Sequence, residues 1–169
     1  MEFLYFIKNK RLFKENNIYL NNFSTLDFFD KHIDKSWDWN LILQKKYITC
    51  EFIEKNFEMN NNNIINISRN PNNILPLVDK YPNKYWNFWF LSKNKYITME
   101  FIEKHIDENF DWNYLSKYKK FTLEFIENNI DKKWNYRRLS YHPYITEKFY
   151  MIHIKEDWDN SFLNKKFIL

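Results

Sequence analysis

Apolar residues recur along this chain at helical spacing, three and four positions apart, and nowhere in the alternation of a half-buried strand. The runs are short and come in pairs. The stretch Ile97-Thr98-Met99-Glu100-Phe101-Ile102-Glu103 has close relatives in Ile48-Thr49-Cys50-Glu51-Phe52-Ile53-Glu54 and Phe121-Thr122-Leu123-Glu124-Phe125-Ile126-Glu127. Weaker copies begin at Ser24-Thr25 and Ile145-Thr146, and a degenerate one runs through Leu77-Val78-Asp79-Lys80. Their central apolar residues are Phe28, Phe52, Leu77, Phe101, Phe125 and Phe149, in steps of 24 with a single 25 between Phe52 and Leu77. A second signature keeps the same phase: Trp37-Asp38-Trp39, Trp86-Asn87-Phe88, Phe110-Asp111-Trp112, Trp134-Asn135-Tyr136 and Trp158-Asp159.

Each half of the repeat carries its own helix-start signal. Thr98 is the expected N-cap of the first helix, with Ile97 and Ile102 as a hydrophobic staple and Glu100 in the first turn, where a carboxylate suits the helix dipole. Asp111 is the expected cap of the second helix, stapled by Phe110 and Leu115. The same logic recurs in Trp37/Asp38/Ile42, Trp86/Asn87/Leu91, Trp134/Asn135/Leu139 and Trp158/Asp159/Leu163. Proline occurs only at or near expected boundaries (Pro71, Pro76, Pro82, Pro143); Pro76 falls in a first turn, and Pro82 is expected to end the same helix early.

A single copy cannot fold alone. Its few large side chains contribute about 1.5–3 kcal/mol each on burial, while ordering its backbone costs about 1–2 kcal/mol per residue. Stacked neighbours resolve the deficit, so the expected fold is all-α, an α-solenoid of helical hairpins of about 24 residues. Residues 23–169 hold about six copies, and residues 1–22 form an N-terminal cap built on Phe3, Leu4, Phe6, Ile7, Leu12 and Phe13, the whole being one structural domain. The second copy departs from the pattern, with Asn62 or a neighbour within Asn60 to Asn63 at the tryptophan position, and its layer is expected to pack less well. The last copy stops after Leu163, leaving Phe167, Ile168 and Leu169 to fold over it or to meet a partner.

Composition refines the picture. Hydrophobic residues at 44% and aromatics at 21% exclude global disorder. Glycine and alanine are both absent while Asn, Lys, Ile, Phe and Tyr dominate, as an A+T-rich coding sequence would give, and Asn inherits glycine's place at helix C-termini. The net charge of +4 is spread along the chain and argues only weakly for nucleic acid. Cys50 stands alone, so no internal disulfide and no oxidising compartment is required. Phe3 to Ile7 is too short and wrongly flanked for a secretory signal, and no segment approaches the roughly 18 apolar residues of a membrane span. The expected protein is soluble and intracellular, without a membrane partner.

The combined pattern Ile-Thr-x-Glu-Phe-Ile-Glu followed by Trp-Asp-Trp-x-x-Leu-Ser, in so Asn- and Lys-rich a chain, resembles short helical repeats in proteins encoded by giant (nucleocytoplasmic large) DNA viruses. The resemblance covers residues 23 to 166. It implies a viral α-helical repeat protein of unassigned activity, in the host cytoplasm or the virion, and it lends no catalytic residue.

The residues themselves name no catalytic, cofactor-binding or metal site. His32, His105 and His153 share one register, at least a repeat apart, too far to share a zinc; a solvated polar stripe is expected. Carboxylate pairs such as Glu51/Glu54 and Glu100/Glu103 recur in nearly every copy, as helix-start charges do, and Ser92, Ser116 and Ser140 follow the second-helix leucine in register rather than marking one nucleophile. No glycine-rich phosphate loop is possible without glycine. The expected function is therefore a non-enzymatic scaffold for protein–protein interaction. Its anchors are Trp89, Phe90 and Tyr114, an apolar patch rimmed by Lys and Arg if the repeat does not simply bury them. The alternative is nucleic-acid binding along an edge of loops, using Lys45, Lys46, Lys95, Lys117, Lys119 and Lys120 with Arg137 and Arg138 nearby, interleaved with Tyr47, Tyr96 and Tyr118. Self-association through a sticky end is a further possibility.

Overall fold

A computed structural model of the chain describes Leu26, residues 39–56 and residues 63–167. The N-terminal cap of residues 1–22, with Phe28, His32, Trp37, Asn60 to Asn62, Ile168 and Leu169, lies outside the described residues. Among the described residues all regular structure is helical and there is no strand.

Four-residue and six-residue helices alternate in α1 (Trp39–Ile42), α2 (Cys50–Lys55), α3 (Ile64–Ile67), α4 (Leu75–Lys80), α5 (Phe88–Leu91), α6 (Met99–Lys104), α7 (Trp112–Leu115), α8 (Leu123–Asn128), α9 (Tyr136–Leu139) and α10 (Glu147–Ile152), and the eight-residue α11 (Asn160–Phe167) starts in the register of the short ones. The starts follow the capping chemistry. The hydroxyls of Thr49, Thr98, Thr122 and Thr146 accept from the N–H of Phe52, Phe101, Phe125 and Phe149 at 3.0–3.2 Å. The side chains of Asn87, Asp111, Asn135 and Asp159 accept from the N–H of Phe90, Tyr114, Arg138 and Phe162 at 2.9–3.1 Å. Each bond satisfies an amide that a helix start otherwise leaves open. Among the starts whose cap residue is described, two lack such a bond: α3, preceded by Asn63, and α4, where Ile74 stands at the cap and Pro76 occupies the first turn. Pro82 does not shorten α4, which runs six residues like α6 and α8, because Tyr81 already ends it as His105 and Asn129 end theirs.

The staple pairs Ile97/Ile102, Phe110/Leu115, Trp86/Leu91, Trp134/Leu139 and Trp158/Leu163 are all buried in one continuous core. The three tryptophans of these pairs also anchor the turn before them, with the indole N–H of Trp86, Trp134 and Trp158 donating to the carbonyls of Tyr81, Asn129 and His153 at 2.7–2.9 Å. Phe110 takes that place one copy earlier than Trp134 and packs edge-on to Phe88 at 5.2 Å. The inner leucine position of the short helices (Leu43, Ile67, Leu91, Leu115, Leu139, Leu163) keeps an unbroken step of 24, and none of the six is more than 1% exposed. The 25-residue step is confined to the longer helices, because α2 starts one residue sooner after Leu43 than its counterparts start after Ile67, Leu91, Leu115 and Leu139.

Buried serines join each copy to the next. The hydroxyls of Ser68, Ser92, Ser116 and Ser140 donate to the carbonyls of Ile64, Phe88, Trp112 and Tyr136 at 2.7–3.0 Å. Each also accepts from the N–H nineteen residues on, from Asn87, Asp111, Asn135 and Asp159, at 2.8–3.0 Å. The residues that accept the first bond inside a short helix thus hand their own amide to the copy before. A hydroxyl is the smallest side chain that can donate and accept at once in a buried position.

Candidate interaction surfaces

The loops after the short helices are tied together by a second ladder at one register, Asn70, Asn94, Tyr118, His142 and Lys166. Asn70 Nδ2 donates to the carbonyls of Leu43 and Ile48 at 2.6 and 3.2 Å, and Asn94 Nδ2 to those of Asn70 and Asn72 at 3.1 and 2.9 Å. The Tyr118 hydroxyl donates to the Ile97 carbonyl at 3.2 Å, and Lys166 Nζ to those of His142 and Ile145 at 3.0 and 2.9 Å. Asn72 reaches back the same way to Lys46 and Ile48. Three side-chain types, Asn, Tyr and Lys, thus do one job: each donates into the loop one copy back.

His142 is the exception in that ladder. Its ring is buried, Nδ1 accepts from the Tyr144 N–H at 3.4 Å, and Nε2 has no partner within hydrogen-bond geometry. Burial pushes its pKa down from the usual histidine value; the nearby Tyr118 backbone opposes this, and the charges of Lys166 and Lys119 reinforce it.

Lys45 and Lys46, Lys95, and Lys119 and Lys120 lie in three of the loops that the ladder joins, all exposed, while the loop of residues 68–74 between the first two carries no lysine. The tyrosines of the expected ladder do not follow them outward. Tyr47 and Tyr118 are half-buried with hydroxyl pKa values raised by burial, and only Tyr96 stands exposed. Arg137 and Arg138 belong to α9 and occupy the register of Trp89 and Phe90, so they lie on the short-helix ridge. There Arg137 pairs with Asp157 at 3.1 Å and Arg138 donates to the Asn113 carbonyl at 2.9 Å. Lys117 joins the same ridge, its ammonium 3.7 Å from the centre of the Tyr114 ring.

On that ridge Trp89 is 44% exposed, while Phe90 and Tyr114 are half-buried. Trp89 meets Phe90 edge-on at 5.0 Å, and cations cover the rings: Lys93 lies 3.1 Å from the Trp89 centroid and Arg69 3.9 Å from that of Phe90. Lys93 also reaches Asp111 at 3.5 Å. Ile65, one copy before Trp89, is half-exposed and continues the stripe. Cation–π contact lets a cation sit over an aromatic face without losing its outward hydration, so the ridge presents rings and positive charge together.

The two described histidines of the expected solvated stripe, His105 and His153, pack against rings instead. His105, at the C-terminus of α6, has a side chain only 14% exposed, packed on Phe101 and Phe88 at 4.6 and 5.4 Å and bonded to Asp79 at 3.0 Å. His153 packs on Phe149 and Tyr136 at 4.5 and 6.2 Å. A helix C-terminus turns its last side chain back over the preceding turn, onto the ring already buried there. Among the described residues no three of His, Cys, Asp and Glu come together as a metal site. The Cys50 thiol is pushed up by burial and by Glu54 and Glu51, the reverse of an activated nucleophile. Ser92, Ser116 and Ser140 are committed to the structural bonds described above. An open groove of about 520 Å³ between α6 and α8 is lined by Met99, Glu103, Ile106, Phe125, Asn128 and Asn129 among others. No helix among the described residues is long and apolar enough to cross a membrane. The chain matches no protein-family model, and no curated protein or solved structure matches it significantly.

Proposed function

We propose that the chain is an α-solenoid that acts without catalysis as a protein-binding scaffold, holding its partner on the short-helix ridge. The partner's chemistry follows from the ridge: an apolar side chain to lie on Trp89 and Phe90, and carboxylates to meet Arg69, Lys93 and Lys117. The carrying observation is the exposed Trp89 ring under Lys93 beside the Phe90 ring under Arg69, in a repeat that buries the neighbouring Trp86 and Phe88. Support for the solenoid comes from the four serine bonds and the loop ladder, both repeating at the sequence period. A viral origin rests on the motif resemblance alone and belongs to the same proposal.

The test is selection from a displayed peptide library. Wild-type protein is expected to enrich sequences combining aromatic and acidic residues, and Trp89→Ser/Phe90→Ser is expected to lose them while melting as one cooperative unit. Enrichment of nothing, or of peptides that the double variant holds equally well, refutes the ridge as the site.

The ordered row of loop lysines favours a second reading, single-stranded nucleic acid along the loop edge. It requires affinity to fall with salt at a log–log slope of about −0.7 per phosphate contact. Neutralising Lys45, Lys46, Lys95, Lys119 and Lys120 must then flatten that slope. The absence of any anisotropy change with labelled oligonucleotide at low salt removes this reading.

A further inference from the structure

The ion pairs that join one longer helix to the next lapse between α6 and α8. Glu54, Asp79 and Glu103 are the penultimate residues of α2, α4 and α6, and Lys80, Lys104 and Asn128 hold the register that meets them from the next copy. Lys80 bonds Glu54, and Asp79 takes two partners, Lys104 at 2.7 Å and His105 at 3.0 Å. Glu103 takes neither. Asn128 stands where the lysine would, and Asn129, in the place of His105, turns back on its own helix, its Nδ2 donating to the Phe125 carbonyl at 2.8 Å. Among the described residues no cation pairs with Glu103.

The groove of about 520 Å³ lies at that lapse, with a volume inside the usual range for ligand sites of about 300–1,000 Å³. Half-buried Met99 and Ile106 and buried Phe125 give it an apolar lining. Glu103 of α6 and Glu124 of α8 bring a carboxylate from each side, and among the described residues no lysine or arginine lines it. Apolar surface bounded by negative charge suits a cation carried on an apolar stem. Lysine is such a side chain, since its methylenes lie along apolar surface while the ammonium stays at the polar edge. In the two preceding rungs the chain supplies that lysine itself.

We propose that the groove between α6 and α8 is a docking site for a lysine-bearing segment of a partner protein, whose side chain replaces the missing rung. The ammonium meets Glu103 and Glu124, and the stem lies on Met99, Ile106 and Phe125. An exposed ion pair alone holds little, so the residues beside the docking lysine are apolar and share the same lining. This surface goes beyond the short-helix ridge and selects the opposite charge: the ridge presents cations to carboxylates, and the groove presents carboxylates to a cation.

Methyl NMR of the full chain with isotope-labelled methionine tests this. Of the four methionines Met99 lines the groove and Met151 does not, so one spectrum holds the reporter and its control. The probe is the tripeptide leucyl-lysyl-leucine, capped at both ends, and leucyl-glutamyl-leucine is its comparison. Wild type is expected to show a saturable shift of the Met99 signal with the lysine peptide, Met151 staying fixed, and no shift with the glutamate peptide. Asn128→Lys restores the residue that closes the two preceding rungs, so it is expected to fold normally and to raise Kd more than about tenfold. Glu103→Gln keeps the shape without the charge and is expected to raise Kd about two- to fivefold and to flatten its salt dependence. Four results overturn the proposal: a Met99 signal unmoved by millimolar lysine peptide, an equal response to the glutamate peptide, unchanged affinity in either variant, or a Met99 shift on concentrating the protein alone, which places a second copy in the groove.

Discussion

Removing one buried hydroxyl tests whether neighbouring copies are bonded as described. Ser116 is fully buried, and its Oγ donates to Trp112 at 2.7 Å and accepts from the Asn135 N–H at 2.8 Å. In Ser116→Ala the Trp112 carbonyl keeps the Ser116 backbone N–H at 2.9 Å, so it stays satisfied. The Asn135 amide, part-buried, loses its acceptor. Leaving such a donor unmatched costs about 1–3 kcal/mol. In a chain of this size each kcal/mol lowers Tm by about 2–4 °C, so a fall of about 2–12 °C is expected. Urea unfolding followed by far-ultraviolet circular dichroism measures the change as a shift in midpoint at unchanged m. Ser161→Ala is the control, since Ser161 is exposed and is expected to stay within about 0.5 kcal/mol. If Ser116→Ala proves indistinguishable from Ser161→Ala, the serine bond between copies is not a structural element.

Further outcomes follow from other positions. Thr98→Ala, which removes the acceptor for the Phe101 N–H, is expected to cost about 0.5–2 kcal/mol, and Thr98→Ser far less, by the same unfolding assay. Trp134→Phe, which mimics Phe110, is expected to lose only the indole bond to Asn129, about 1 kcal/mol, whereas Trp134→Ala is expected to cost about 3–5 kcal/mol by opening a cavity. Because the His142 pKa is depressed on folding, the unfolded chain binds the extra proton. Stability should therefore decline as pH falls through the ordinary histidine range of about 6.5 towards the lower folded value. His142→Asn, the residue of the equivalent positions 70 and 94, should flatten that part of the profile. Asp159 does not interfere there: Tyr141, Ser161 and the Phe162 amide hold its carboxyl below the usual range, so its contribution is lost only at lower pH. A melt series from pH 7.5 to 5 that is identical in both chains contradicts the assignment.

The helices and their starts were legible because capping is local: Thr98, Asp111 and their counterparts sit three residues from the amides they satisfy. The apolar stripe was equally plain, since large side chains at helical spacing have no cheaper place than the interior. What joins copies was visible only as a pattern without a meaning. Ser92, Ser116 and Ser140 stood in register, yet the amide each one holds lies nineteen residues on and depends on how copies meet. The loop ladder was harder still, because Asn94, Tyr118 and Lys166 share a position and a donor role but no residue class. His105 and His153 were misjudged because register does not report which way a helix C-terminus folds its last side chain. Of the candidate surfaces, Trp89 was legible as an unusual residue at its position, while the separation of Arg137 and Lys117 from the loop lysines needed the direction of each side chain.

Shared interiors have one direct consequence: a whole copy is removable and half a copy is not. Excising residues 98–121 joins Ile97 to Thr122 in register and sets Ser92 opposite Asn135, as Ser116 was. That chain is expected to melt cooperatively with the same helical signal per residue as wild type, at somewhat lower stability. Excising residues 98–109 breaks the register and is expected to give a chain without a cooperative transition. A disordered 24-residue deletion, or a 12-residue deletion that folds as well, contradicts the claim that each hairpin takes its interior from its neighbours.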